Sequence, residues 1–245
     1  MTSPIWLLQR LLLSAILCTT WAAAGAAGNP KNVIELYTSQ SCSLCPRAQT
    51  VLKTLVDRRD IIELSLNVDY WDYLGWKDTL GKAAHTQRQR AYARARGDGK
   101  IYTPQIVANG LTAAVGSDRS QIERAIIESA NRLAGDRVKL ELRSDKTSFT
   151  IKVGPGARPD KPATIYIATV SPTVTVKIIG GENRGHQITF HNVVRNIVPV
   201  GMWFGEDATI RLLKRDLLQG GGERCVVLVQ SADAGPVLAA DWMPQ

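Results

Sequence analysis

Two cysteines separated by two residues, Cys42 and Cys45, are the best candidates for chemistry in this sequence. A thiolate attacks a disulfide sulfur, and a second thiol one helical turn away can resolve the mixed disulfide that forms. An apolar run, residues 33–37, precedes the pair. After Pro46 the apolar residues follow helical spacing, at positions 48, 51, 52 and 55. A strand therefore leads into a helix that we expect to begin near Cys42 or Ser43, since proline is tolerated in a first helical turn.

This position predicts different roles for the two thiols. The unpaired N–H groups and partial positive charge of a helix N-terminus stabilise a thiolate and lower its pKa. We therefore expect Cys42 to be the exposed attacking residue and Cys45 the more buried resolving residue. Half of a zinc site and an inert structural disulfide are the alternatives for a C-x-x-C pair.

The other cysteines and the histidines do not form a second pair of metal ligands. Cys18 and Cys225 are isolated, and His85, His186 and His191 lack a zinc-site spacing. We predict no metal and no cofactor. Cys225 begins the apolar run CVVLV and is expected to be a buried, inert thiol.

Residues 1–27 have the features of a secretory signal peptide: Arg10, an apolar run from Leu11 to Ala24, and small residues after it. The run is shorter than the ~20 residues of a membrane-spanning helix, although an uncleaved anchor is the alternative. We expect a secreted or periplasmic protein, without stable membrane insertion after signal cleavage. The net charge of +8 is spread along the chain. No nucleic-acid motif accompanies it, so we predict no nucleic-acid partner.

Two domains are predicted, residues 28–136 and 137–245. In the first, strands 33–38 and 61–68 flank a helix at 46–58. An insertion follows, with acids and aromatics at 69–78 and a helix at 80–96. Asn109-Gly110 predicts a hairpin, and Ser117 or Asp118 caps a last helix. Period-two patterns beyond Arg137 favour an all-β antiparallel sandwich-like domain.

The order βαβ–insertion–ββα, with C-x-x-C at the first helix, resembles the thioredoxin fold. The sequence more narrowly resembles the DUF1223 family of bacterial secreted proteins of unknown function. The segments that carry this resemblance are VIELYTSQSCSLCP, NVDYWDYLGWKD, RQRAYAR, YTPQIVANG and GENRGHQITFHNVVR, within residues 33–245. The resemblance implies a cis-proline at Pro104 opposite the dithiol. It also implies that the backbone before this proline, at Tyr102 and Thr103, pairs with an extended substrate.

Several other side chains have two interpretations each. Glu35 could relay the proton of Cys45, as the resemblance implies, or form an ion pair with a lysine or cap a loop. Asp69 and Asp72 could form an acid/base pair or a cation site, but hydrogen bonds within their own turn are favoured. Trp71 and Trp76 could line a substrate groove or cover the inserted helix. His85 is expected to be a surface or capping residue.

These observations favour a thiol–disulfide oxidoreductase that acts on a protein thiol or disulfide partner. The alternative is a binding or structural module in which Cys42 and Cys45 form a permanent disulfide.

Overall fold

The computed structural model describes residues 31–217 and 223–244. The predicted signal peptide, with Cys18, lies outside these ranges. Within them, no helix is long and apolar enough to cross a membrane. The fold is mixed α/β, with one large sheet and few helices.

The first half of the chain alternates strands and helices: β1 (Asn32–Thr38), α1 (Cys45–Lys53), β2 (Ile61–Asn67), a short 3-10 helix (Asp72–Leu74), α2 (Ala83–Arg96), β3 (Gln105–Ala108), β4 (Thr112–Val115) and α3 (Arg119–Arg132). Strands β1 and β2 are parallel, and β3 is antiparallel to both β1 and β4. The hairpin at Asn109-Gly110 is confirmed. The Asp118 side chain caps α3 by accepting a hydrogen bond from the Gln121 N–H.

Helix α1 begins later than predicted, at Cys45, with Pro46 as its second residue. The preceding residues form turns, in which the Cys42 carbonyl accepts from the Cys45 N–H at 3.1 Å. Cys42 therefore lies just before the helix. The helix also ends earlier than predicted, because Leu55 bonds to Leu52 in a tightened last turn.

The second half is mostly strands: β5 (Leu140–Ser144), β6 (Ser148–Val153), β7 (Ala163–Lys177), β8 (Gln187–Trp203), β9 (Ala208–Leu213), the short helix α4 (Lys214–Leu217), β10 (Arg224–Gln230) and β11 (Val237–Trp242). The apolar runs at 165–170 and 174–178, with a turn signal between them, predict two strands, but the structure has the single strand β7 there. Pro172 is tolerated within it because β10 pairs only with residues 164–170, so no ladder bond is lost on that side. The pattern at 207–218 predicts a short helical or irregular piece; this segment contains the strand β9 and then the short helix α4. Strand β11 was not predicted.

Within the described ranges, eight strands form one sheet in the order β11-β10-β7-β8-β2-β1-β3-β4. The two halves of the chain meet where β2 pairs in parallel with β8, at Ser65 and Val193. Four strands of the predicted all-β domain thus extend the sheet of the first half. The division into domains 28–136 and 137–245 stays a prediction.

The three-stranded sheet β5-β6-β9 packs on one face of this large sheet. Phe149, Ile151 and Val153 of β6 share a buried cluster with apolar residues of β7 and β10. On the first half of the sheet, α1 and α3 cover the face that carries Ile34 and Leu36. The opposite face carries Val33 and Tyr37.

Candidate functional site

The segment from Ser39 to Leu44 connects the carboxyl end of β1 to α1 and carries the first cysteine of the pair. The Gln40 N–H donates to the Asp78 carboxylate at 2.7 Å, and the Ser41 N–H donates to the Ser39 hydroxyl. Asp78 also accepts hydrogen bonds from the Asn67 amide. The segment is therefore held by polar groups from β2 and from the insertion, and its conformation does not depend on α1 alone.

The two thiols of the pair lie in different environments. A hydrogen bond from the Cys45 thiol, bonds from the Thr103 hydroxyl and the N–H groups of Leu44 and Cys45 lower the pKa of Cys42 to about 6, against the effect of burial. Burial and the adjacent Cys42 sulfur raise the pKa of Cys45 well above its ordinary value. Both residues are buried: Cys42 is 3% exposed and Cys45 is 1% exposed. The expectation that Cys42 is an exposed residue is therefore wrong.

The predicted substrate-binding residue Thr103 lies beside the first cysteine. The Cys42 sulfur is 3.6 Å from the Thr103 carbonyl oxygen, and the peptide bond between Thr103 and Pro104 is cis. The Trp71 indole N–H donates to the Thr103 hydroxyl at 2.8 Å, which leaves that hydroxyl proton available to the sulfur. The Tyr102 carbonyl already accepts a hydrogen bond from the Gln89 side chain at 2.8 Å.

Glu35 lies on the other face of the sheet from α1. It alternates along β1 with Ile34 and Leu36, which pack against that helix. Its carboxylate receives two hydrogen bonds from Arg88, at 2.7 and 2.8 Å, and one each from Tyr92 and Tyr37. Burial alone would raise the pKa of Glu35, but Arg88 and these hydrogen bonds hold it below its usual value.

The structure therefore does not bring Glu35 to the cysteines. The ion-pair interpretation fits the geometry, with an arginine in place of the expected lysine. The Thr38 hydroxyl partly offsets the rise in the pKa of Cys45.

The two predicted tryptophans support the cysteine segment from the insertion, and both are half-buried. Trp71 contacts Thr103 as described, and the Trp76 indole N–H donates to the Gln40 side chain at 2.8 Å. Asp72 accepts from the Asp78 N–H, within the same turn as predicted. Asp69 instead accepts a hydrogen bond from Thr86 of α2.

Two contacts that the sequence did not predict come from the connection between β7 and β8. The Asn183 side chain donates to the carbonyl oxygens of Gln40 and Cys42, both at 2.8 Å. The exposed Glu182 carboxylate accepts from the Ser43 N–H at 2.9 Å. The glycines of GENRG predict a turn, but nothing in the local pattern indicates which distant loop this turn contacts.

His85 was expected to be a surface or capping residue, but it does not lie at the surface. The residue is buried, its ring Nδ1 lies 2.8 Å from the Asn67 carbonyl oxygen, and burial lowers its pKa to about 4. Cys225 is buried as expected, and burial raises its pKa to about 11. Within residues 31–217 and 223–244, the His, Cys, Asp and Glu side chains form no group of three or more suited to a metal ion.

Comparisons with known proteins support the family resemblance. The sequence profile of the family described as "Protein of unknown function (DUF1223)" matches residues 33–230. A crystal structure of a protein from Agrobacterium tumefaciens, solved by a structural genomics consortium, is 29% identical with a TM-score of 0.77. The match covers 89% of this chain and 96% of that chain. A comparison with curated proteins finds no match. Because the profile spans most of the sequence, the chain belongs to the DUF1223 family.

Proposed function

We propose that this protein is a secreted or periplasmic thiol–disulfide oxidoreductase whose dithiol is Cys42 and Cys45. The observation that carries the proposal is the difference between the two thiol environments. The Cys45 thiol, the Thr103 hydroxyl and two backbone N–H groups lower the pKa of Cys42 to about 6, whereas burial raises the pKa of Cys45. Near neutral pH this difference makes Cys42 the thiolate and keeps Cys45 protonated, as exchange chemistry requires.

The arrangement of the first half supports a thioredoxin-like fold for this dithiol. Its order is β1-α1-β2, an insertion with α2, and then β3-β4-α3. The cysteine pair lies at the start of α1, beside the Thr103–Pro104 bond. Export is proposed from the signal-like pattern of residues 1–27.

The proposed reaction follows from the roles of Cys42 as the attacking thiolate and Cys45 as the resolving thiol. The Cys42 thiolate attacks one sulfur of a partner disulfide, forming a mixed disulfide and releasing the other partner sulfur as a thiolate. Cys45 passes its proton to that thiolate or to water and attacks the Cys42 sulfur. The partner leaves as a dithiol, and the protein keeps the Cys42–Cys45 disulfide. Two electrons pass to the partner, and the reverse sequence oxidises a partner dithiol.

The surface beside the dithiol suits a polypeptide partner. Leu44, between the two cysteines, is 63% exposed, and Tyr73 of the insertion is 78% exposed. Ile179 is 65% exposed and lines a groove of about 560 Å³ together with residues of the β7–β8 connection. Exposed aromatic side chains act as anchors for protein partners, and exposed apolar side chains that form a patch mark interaction sites.

A second candidate function is a binding or structural module in which the same cysteines form a permanent disulfide. The near-complete burial of both residues favours this alternative, because a covered disulfide resists exchange.

The reduction potential of the pair separates the two functions. The protein would be equilibrated in glutathione buffers and its thiols trapped, with Cys225→Ser as the control that removes the remaining buried thiol. A potential between about −120 and −270 mV is expected for an oxidoreductase. A potential below about −300 mV would identify a structural disulfide and overturn the proposal.

A further inference from the structure

The connection between β7 and β8 packs directly on the cysteine segment, although about 140 residues of chain separate the two. Gly180 and Gly181 allow this approach. A Cβ on Gly181 would lie 2.8 Å from the Ser41 hydroxyl oxygen, and Gly181 has a φ of +70°. A Cβ on Gly180 would lie 3.1 Å from the Gly75 carbonyl oxygen. The connection thus fits between the cysteine segment and the insertion.

Asn183 makes the most specific contacts in this connection. It is 5% exposed, and its amide nitrogen bonds to the carbonyl oxygens of Gln40 and Cys42 at 2.8 Å each. Carbonyl oxygens only accept hydrogen bonds, so the NH₂ group must face them, and both of its protons are used. The carboxamide therefore links the carbonyl groups on either side of Ser41 and fixes the conformation of this turn.

The Cys42 carbonyl oxygen, which accepts a hydrogen bond from Asn183, is part of the turn before α1. This turn places backbone N–H groups near the Cys42 sulfur. The same oxygen accepts from the Cys45 N–H at 3.1 Å. The N–H groups of Leu44 and Cys45 also act on the Cys42 sulfur. A rotation of the Cys42 peptide would move these N–H groups away from the sulfur. Holding that peptide thus holds the donors as well.

We infer that Asn183 is a positioning residue of the dithiol site: its carboxamide fixes the Gln40–Cys42 backbone so that the N–H groups of Leu44 and Cys45 point at the Cys42 sulfur. The second half of the chain thereby contributes a group that sets the reactivity of the cysteine in the first half. A role for Asn183 in catalysis rests on the proposed function. The effect of Asn183 on the pKa of Cys42 can be tested separately.

The test uses the full-length reduced protein and measures the pKa of Cys42 from the pH dependence of its alkylation by iodoacetamide, followed by mass spectrometry. Asn183→Ala is expected to raise this pKa by about one unit, because two hydrogen bonds that order the donors are lost. The thiolate fraction at pH 6 would fall from about one half to about one tenth. Asn196→Ala is the matched control, since within the described part of the chain the Asn196 side chain bonds only to the N–H of the next residue, Ile197.

Two further variants keep the test decisive. Asn183→Ser keeps one donor and is expected to give a smaller rise; it replaces Asn183→Ala if that variant does not fold. Glu182→Gln removes an exposed negative charge next to Ser43 and is expected to lower the pKa of Cys42 by about 0.3 unit. A general loosening of the loop would not raise the pKa of Cys42 in the Asn183 variants and lower it in Glu182→Gln.

A folded Asn183 variant whose Cys42 pKa matches the parent protein would overturn the inference. The proposed function can fail independently. A structural disulfide would show a potential below about −300 mV, and its reduced form would still respond to Asn183→Ala. An active oxidoreductase that does not respond would refute only the role of Asn183.

Discussion

Replacing Arg88 by methionine removes the cation that faces the buried Glu35 carboxylate. The side chains of Glu35 and Arg88 are 1% and 13% exposed, and they form two hydrogen bonds with each other. Methionine keeps much of the side-chain volume but leaves the carboxylate with only the Tyr37 and Tyr92 hydroxyls as donors. A buried charge that loses its partner costs about 3–5 kcal/mol. The free energy of unfolding at pH 7.5 should therefore fall by about that amount.

The pH dependence has a definite sign. In the parent protein the pKa of Glu35 is lowered, so its contribution is present above the pKa of the unfolded chain and is lost as the pH falls. Without Arg88, burial raises this pKa, and the variant loses stability as the pH rises through the raised value. The difference in stability between the two proteins should therefore shrink to less than about half between pH 7.5 and pH 4.5.

Urea unfolding followed by tryptophan fluorescence measures both effects. With an m-value of about 3 kcal/mol/M, the expected loss lowers the midpoint by about 1–1.7 M at pH 7.5. Arg90→Met, an exposed position on the same helix, should change stability by less than about 0.5 kcal/mol. The double variant Glu35→Gln/Arg88→Met should recover part of the loss, since no buried charge remains. A loss below about 1 kcal/mol, or one that is equal at both pH values, would refute this reasoning.

Substitutions at three further positions test other parts of the fold. Gly181→Ala should cost about 1–2 kcal/mol and lower the melting temperature by about 3–8 °C, owing to its positive φ and its contact with Ser41; a neutral result in calorimetry would contradict the tight packing. Asn109→Ala should cost about 2–4 kcal/mol in urea, because Asn109 has a φ of 51° and accepts from the Val33 N–H; Asn109→Gly should cost less. Burial raises the pKa of Glu63 to about 8, so the parent protein loses stability as the pH rises toward that value. Glu63→Gln should therefore be the more stable protein at pH 9 and lose this advantage at pH 5; a pH-independent difference would count against the raised pKa of this buried carboxylate.

Local signals account for most of what could be predicted about the first half of the chain. The cysteine pair between β1 and α1, the hairpin at Asn109-Gly110 and the Asp118 cap each depend on residues within a few positions of one another. Turn and capping preferences act over such short distances, so the sequence carries them directly. The start of α1 was predicted two or three residues too early, because proline is tolerated throughout a first helical turn and Pro46 is in fact the second residue of the helix.

Contacts over long sequence separations were not predictable in the same way. Alternation along β1 indicates that Glu35 is buried, but the choice of Arg88 as its partner depends on how α2 packs on the sheet. The same holds for the pairing of β8 with β2, which makes one sheet from the two halves. Periodicity identifies which face of an element is buried and leaves the facing element undetermined.

The sequence by itself determined the dithiol, the family and the order of strands and helices in the first half. Only the tertiary structure decided the environment of Cys42, because Thr103 acts on its sulfur and Asn183 of the β7–β8 connection donates to its carbonyl oxygen. The physical reason is that a thiol pKa depends on the groups that surround the sulfur in space, and here those groups are brought together by sheet pairing between distant segments.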